Sequence, residues 1–263
     1  MTVSTRHNRE QPTEGATTTT APARVRQRSW PIEFYRSAVG KKWVMAVTGI
    51  IWMLYVLAHM IGNLKVYIGF LPTERAYEID LYGEALRGLL FPVLPKYVFL
   101  WTMRVILIIA LWLHVHAAYA LTVMNRKARR IGYQGPREYL VANYASRTMR
   151  WSGVIVLLFL AWHLADFTWG IQPFAPQGWA QGAVYANFVG TFSRWPVAIL
   201  YIIANLALGI HLYHGAWSMF QSLGVNHPRF NVWRKWFAQA FAAVIVLANI
   251  SFPISVLAGV IHL

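Results

Sequence analysis

Six of the nine histidines in this 263-residue chain, His59, His114, His116, His163, His211 and His214, lie inside long apolar stretches. An ionisable ring in an apolar span is costly unless the interior of a helix bundle uses it, so each such residue marks a candidate site. Neutral imidazole offers a lone pair at one ring nitrogen and a proton at the other, which lets it ligate a metal while it hydrogen-bonds a neighbour. Four separate stretches each carry at least one of the six. That distribution points to metal held between helices. The chain has no cysteine, which excludes disulfides and any iron–sulfur cluster held wholly by thiolates of this chain.

The elements that must position these rings are membrane spans. The chain is 57% hydrophobic and 13% charged, with a mean hydropathy of +0.41, whereas a soluble domain carries about 25% charged residues. Apolar runs fall at roughly 43–68, 98–124, 151–172, 195–222 and 235–262, each long enough to cross a ~30 Å hydrocarbon layer as a helix. Pro72, Pro92, Pro95, Pro173, Pro176 and Pro228 punctuate the connections, Pro196 sits at a tolerated helix start, and Pro253 is expected to kink the fifth span. The expected fold is all-α: a five-helix transmembrane bundle over residues 34–263, preceded by a polar, disordered cytoplasmic arm over 1–33. The arm has no apolar core of the kind a cleavable secretory signal requires.

The net charge of +15 is concentrated in alternate connections. Eight Lys and Arg precede the first span, and the second connection carries seven, Arg126, Lys127, Arg129, Arg130, Arg137, Arg147 and Arg150. The fourth has Arg229, Arg234 and Lys235, while the third has only Arg194 and the C-terminus none. This is the pattern of cytoplasmic loops rather than of a nucleic-acid surface, and it predicts the N-terminus inside and the C-terminus outside.

Helix rise turns sequence position into depth. Counted from the span starts, His59 lies ~24 Å and His163 ~18 Å from the inner face, while His114 and His211 lie ~22–24 Å from the outer face. The first and third spans therefore supply an outer pair and the second and fourth an inner pair. Imidazoles facing each other at one depth are what axial ligation of a haem requires. His116 points away from the side that His114 faces. His214 shares a face with His211, about a turn nearer the cytoplasm. The ligand at the inner level is thus His114 or His116 on one side and His211 or His214 on the other. A lone intramembrane imidazole often just ties helices together; four at two matched depths point to metal. Gly49, Gly153 and Gly209 leave room for a macrocycle or for close helix packing, and the Trp and Tyr abundance is that of an interfacial belt.

Four stretches carry a family resemblance: FYRSAVGKKWVMAVTGIIWMLYVLAHMIGNLKVY (34–67), LHVHAAYALTVMNRKAR (113–129), SRTMRWSGVIVLLFLAWHLADFTWG (146–170) and HLYHGAWSMFQSLGVNHPRFN (211–231). Together they resemble the membrane-anchor cytochrome b subunit of succinate dehydrogenase/fumarate reductase (complex II), of the single-chain, five-helix type. The resemblance implies axial haem ligands at His59, His114, His163 and His211, with up to two haem b groups. His116 and His214 are additional to the family pattern. It also implies a flavoprotein subunit and an iron–sulfur subunit as partners, a complex that can form higher oligomers, and a multi-pass setting in a bacterial plasma membrane. This chain would pass electrons to membrane quinone, expected to be menaquinone, and would hold no dicarboxylate site.

Quinone reduction needs hydrogen-bond donors and a proton route beside a lipid-accessible pocket. The inner candidates are Arg36, Ser37 and Lys42 with Arg147, Arg150 and Ser152, and Tyr119 and His116 lie deeper; an outer site would draw on Asp166 or Glu84. Three other readings stay open. A Rieske-type [2Fe–2S] cluster would take two imidazoles from this chain and thiolates lent by a partner subunit. A purely structural anchor would use its histidines to join helices. A di-haem cytochrome b would serve another membrane dehydrogenase, such as a hydrogenase.

Overall fold

The computed structural model describes residues 29–128, 142–225 and 227–263. Most of the expected arm and the loop residues Arg129, Arg130 and Arg137 lie outside the described residues, as does the side chain of Arg147. The elements run in the order α1 (Trp30–Arg36), α2 (Ala38–Asn63), a 3-10 turn (Leu64–Tyr67), β1 (Phe70–Leu71), β2 (Ala76–Tyr77), α3 (Glu78–Arg87), α4 (Val98–Ala128), α5 (Ala142–His163), a π-turn (Leu164–Thr168), α6 (Val184–Phe192), α7 (Trp195–Ser222) and α8 (Pro228–Leu257). Five of these helices are long and apolar enough to cross a membrane, over Ala38–Tyr67, Val98–Ala128, Thr148–Thr168, Trp195–Ser222 and Pro228–Leu257. The five spans expected from the sequence are present.

Local chemistry sets the helix starts. Helical structure begins at Trp30, inside the stretch expected to be a disordered arm, because Pro31 pre-sets the first turn and Trp30 stacks on Phe34 at 5.5 Å. The Ser37 hydroxyl then caps α2 by accepting from the Gly40 amide at 2.9 Å. The His227 ring caps α8, accepting from the Arg229 amide, and Pro228 opens that helix. Arg234, which counts toward the inward positive charge, is buried: it donates to the Val225 carbonyl and to Asn231 and lies over the Trp217 ring, closing the turn from α7 into α8. Helix α8 runs on through Pro253 to Leu257.

The bundle is built from α2 against α4, α5 against α7, and α2 against α7, with α8 lying mainly on α7. Thr48 of α2 meets His114 of α4, and Tyr35, just before α2, meets His116. Small residues fix the spacing of α7 and α8. A Cβ on Gly209 would lie 2.3 Å from Cγ2 of Val246, so Gly209 serves helix–helix approach and not a macrocycle. Met60, Leu212, Ala242 and Ile245 form a core between α2, α7 and α8.

At one end the connections fold into a cap. The β1–β2 hairpin, α3 and α6 pack on the ends of α7 and α8 through Val66, Ile79, Tyr185, Phe188, Phe192, Phe252 and Val256. Tyr77 stacks on Tyr185 at 3.7 Å, the Tyr185 amide donates to Asp80, and the Tyr185 hydroxyl donates to the His262 carbonyl. Fitting Gly209→Ala into this packing should cost about 1–3 kcal/mol, read as a lower Tm in detergent. Val246→Ala in the same chain should recover most of that loss.

Candidate functional site

The four long-range imidazoles meet in two pairs. His59 of α2 faces His163 of α5 with ring centroids 5.8 Å apart and planes at 87°. His114 of α4 faces His211 of α7 at 6.3 Å and 63°. These are the groupings that depth along the helices predicts. Among the described residues no three His, Cys, Asp or Glu gather into one ligand set; the imidazoles come in twos.

His116 belongs to neither pair. It is exposed on α4, stacked on Trp112 at 5.5 Å and on Tyr35, whose hydroxyl lies 2.5 Å from its Nδ1. His214 is half-buried against Tyr213 at 4.9 Å. Of the residues left open at the inner level, the structure brings His114 and His211 together.

Each inner ring is held at Nδ1 by a hydroxyl whose own proton is committed elsewhere. Thr48 Oγ1 donates to the Val44 carbonyl at 2.7 Å and lies 3.1 Å from His114 Nδ1. Ser152 Oγ donates to the Met149 carbonyl at 3.1 Å and lies 3.4 Å from His211 Nδ1. With the hydroxyl proton on the helix carbonyl, the ring would donate from Nδ1 and keep its lone pair on Nε2. The neighbouring glycines make room: a Cβ on Gly49 would stand 3.6 Å from His114 Cε1, and one on Gly153 would stand 3.3 Å from His211 Cε1.

This arrangement is a repeat. Met45-x-x-Thr48-Gly49 is followed after nine residues by His59, and Met149-x-x-Ser152-Gly153 is followed after nine by His163. Each copy presents a hydroxyl to the imidazole of the next span and, eleven residues on, its own imidazole on the same side of the helix. At helical rise the two levels are therefore about 16 Å apart. The repeat escapes inspection of the histidines alone, because its inner half is a hydroxyl and a glycine; comparing the first and third spans residue by residue reveals it.

The His59–His163 pair, expected at the outer level, is built differently. His163 ends α5, and the π-turn that follows swings Asp166 into the interior, where it is fully buried. Such turns accommodate one extra residue and recur at functional sites. Asp166 accepts from Thr191 Oγ1 at 2.9 Å, from Arg194 Nη2 at 3.3 Å and from the Tyr201 hydroxyl at 2.9 Å, and the Tyr201 oxygen lies 3.4 Å from His163 Nδ1. His59 stacks on Tyr55 at 5.5 Å. The Trp52 indole N–H, a turn before Tyr55 on α2, is buried without a hydrogen-bond partner. Glu84, the other outer carboxylate, is exposed and pairs with Arg87 and Lys96, away from both imidazole pairs.

The inner polar candidates scatter. Arg36, Lys42 and Arg150 are exposed, and the Ser37 hydroxyl is spent on the cap of α2. Ser152 is buried beside His211 rather than lining an open pocket. Lys41, next to the expected Lys42, is the buried lysine: its Nζ donates to the Tyr35 carbonyl at 3.1 Å and lies 4.2 Å over the Tyr35 ring. Tyr119 is exposed.

The chain matches no protein-family description, no curated protein and no solved structure. The geometry of the inner pair has a direct consequence. Gly49→Leu or Gly153→Leu should drive the His114 and His211 rings apart and leave His59 and His163 together, as a structure of the variant would show. Gly49→Ala, which adds only an ordinary contact, should leave both pairs in place.

Proposed function

We propose that this chain is the membrane-anchor and electron-transfer subunit of a succinate:quinone oxidoreductase, with two iron centres held by His59 and His163 at the outer level and by His114 and His211 at the inner. Four sequence stretches with the character of complex II cytochrome b anchors support the reading. The observation that carries it is the separation of the paired rings. His114 with His211 and His59 with His163 stand with ring centroids 6.3 and 5.8 Å apart, close enough for the two imidazoles of each pair to hold one iron between them. The donor set fits haem b: two pairs of imidazoles, glycines beside the His114 and His211 rings, and the buried, unpartnered indole N–H of Trp52 on α2.

Bound between such imidazoles, a haem takes up and releases one electron at a time. The protein's part is to orient and insulate. Thr48 and Ser152 lie at Nδ1 of the inner rings and would leave Nε2 to hold the iron, while Tyr201 contacts the outer His163. The apolar spans exclude water from both levels. On the inner face, exposed Arg36, Lys42 and Arg150 are suited to pair with acidic groups of an iron–sulfur subunit. A quinone, expected to be menaquinone, would be met there. Exposed His116 and half-buried Tyr35, which contact one another, with Lys41 beside the Tyr35 ring, are polar groups that a quinone could meet there, and Arg147 belongs to the basic connection that follows the second span. The flavoprotein would carry the dicarboxylate chemistry, so this chain contributes no substrate carboxylate site.

A reduced-minus-oxidised spectrum of the purified protein should show the sharp visible band of a low-spin b-type cytochrome. Iron with acid-labile sulfide beyond that of partner clusters, and no such band, would replace haem by the cluster. Neither signal would leave a structural anchor, and co-purification with hydrogenase subunits would reassign the partner. His59→Ala or His163→Ala should remove only the outer centre. His114→Ala or His211→Ala should remove the inner one and abolish succinate–quinone activity, whereas full activity in either variant would reject its ligand role. The cysteine-free chain also permits a topology test in the plasma membrane of intact bacterial cells. Thr73→Cys should react with an impermeant thiol reagent, and Gln221→Cys only after permeabilisation, if the N-terminus lies inside and the C-terminus outside.

A further inference from the structure

We infer that Tyr201, backed by Asp166 and Arg194, is a positioning residue that fixes the tautomer of His163 and makes the outer level electronically unlike the inner. The Tyr201 hydroxyl gives its proton to Asp166 Oδ2 at 2.9 Å, so its oxygen can meet His163 Nδ1 only as an acceptor. His163 then carries its proton on Nδ1 and presents Nε2 as the lone pair. Asp166 keeps its role as acceptor because Thr191 and Arg194 both donate to Oδ1, and because Arg194 supplies a cation beside a carboxylate that is otherwise buried. Arg194 is itself anchored to the Ala175 carbonyl at 3.3 Å and reaches the protein surface, so the whole chain of contacts is tied to the outer cap.

The inner rings contact hydroxyls backed by neutral backbone carbonyls, whereas His163 contacts a phenol backed by a carboxylate. His59, its partner, has ring neighbours and no hydrogen-bond partner among the described residues. A more electron-rich acceptor on the far nitrogen raises the basicity of a ligating imidazole. That stabilises the oxidised form of a bound metal and lowers its reduction potential. One ring of one pair is thereby singled out, and electrons arriving at the inner level meet an outer level set separately. The electronic half rests on the proposed iron centres, while the tautomer belongs to the chain itself.

The decisive variant is Tyr201→Phe, which keeps the ring packed among Phe159, Phe167 and Phe192 and removes only the oxygen. Histidine 15N NMR of the full chain in detergent, freed of iron so that neither ring nitrogen is ligated, with His163 assigned by its loss in His163→Gln, should show the Nδ1–H form in the wild type. In Tyr201→Phe that form should give way to Nε2–H. Redox titration should show the outer potential moving positive and the inner unchanged, with outer iron affinity falling about 10–100-fold. Asp166→Asn should shift the outer potential the same way by less, and Ser152→Ala should act on the inner centre alone. An Nε2–H His163 in the wild type, or an unchanged tautomer in Tyr201→Phe, would overturn the positioning role. Two iron centres present with the outer potential unmoved in Tyr201→Phe would overturn the tuning while leaving the electron-carrier reading intact. A wild-type chain that binds no iron would sink that reading and the tuning with it, and the tautomer would still decide the positioning.

Discussion

A ring with two nitrogens cannot be carried into hydrocarbon half-satisfied, and that constraint organises this molecule. Buried ring nitrogens are costly unless they meet partners within the protein. Thr48, Ser152 and Tyr201 are those partners for three of the four rings. In each case the hydroxyl donates to a carbonyl or carboxylate of the protein, and its oxygen lies within 3.4 Å of Nδ1. The packing of helices follows the hydroxyl–imidazole contacts rather than the ring pairs. α2 must lie on α4, and α5 on α7, for the hydroxyls to reach, and these are the extensive contacts of the bundle alongside α7 with α8.

Much of this was legible in the residues, and the reasons for the rest are physical. Long uncharged runs announce spans because nothing but a helix satisfies its own backbone in lipid. Constant rise per residue then groups His59 with His163 and His114 with His211 without any coordinates. Which of two nearby histidines enters a pair depends on helix rotation, which rise alone does not give; packing places His116 on the exposed side with Tyr35 and Trp112. The cap elements are invisible to periodicity, since a two-residue strand or a nine-residue helix is too short to impose one. Asp166 looks from sequence like a free outer carboxylate, but the π-turn after His163 redirects it inward. Gly209 and Gly49 look alike as small residues, yet one meets a valine of α8 and the other an imidazole. Only the neighbouring helix distinguishes them.

The cap explains why the outer level can be richer in polar contacts than the inner. Thr191 comes from the last turn of α6 and Arg194 from the turn into α7, and α6 is held by Asp80, Tyr77 and the His262 carbonyl. Those loops do more than connect spans: they supply the cation that makes a buried carboxylate tolerable next to a ligand-type histidine. At the other end, the inner rings are served entirely from within the spans by backbone-anchored hydroxyls.

The spacing in the first and third spans carries a constraint on how the sequence can change. One helix supplies the brace for one storey and the gripping ring for the next, three turns apart on one side of the rod. Inserting or deleting a single residue between Gly49 and His59, or between Gly153 and His163, would rotate the two ends by about 100° relative to each other. No side chain swap elsewhere could repair both storeys at once. The length of the stretch is therefore locked, like the distance between two rungs of a ladder.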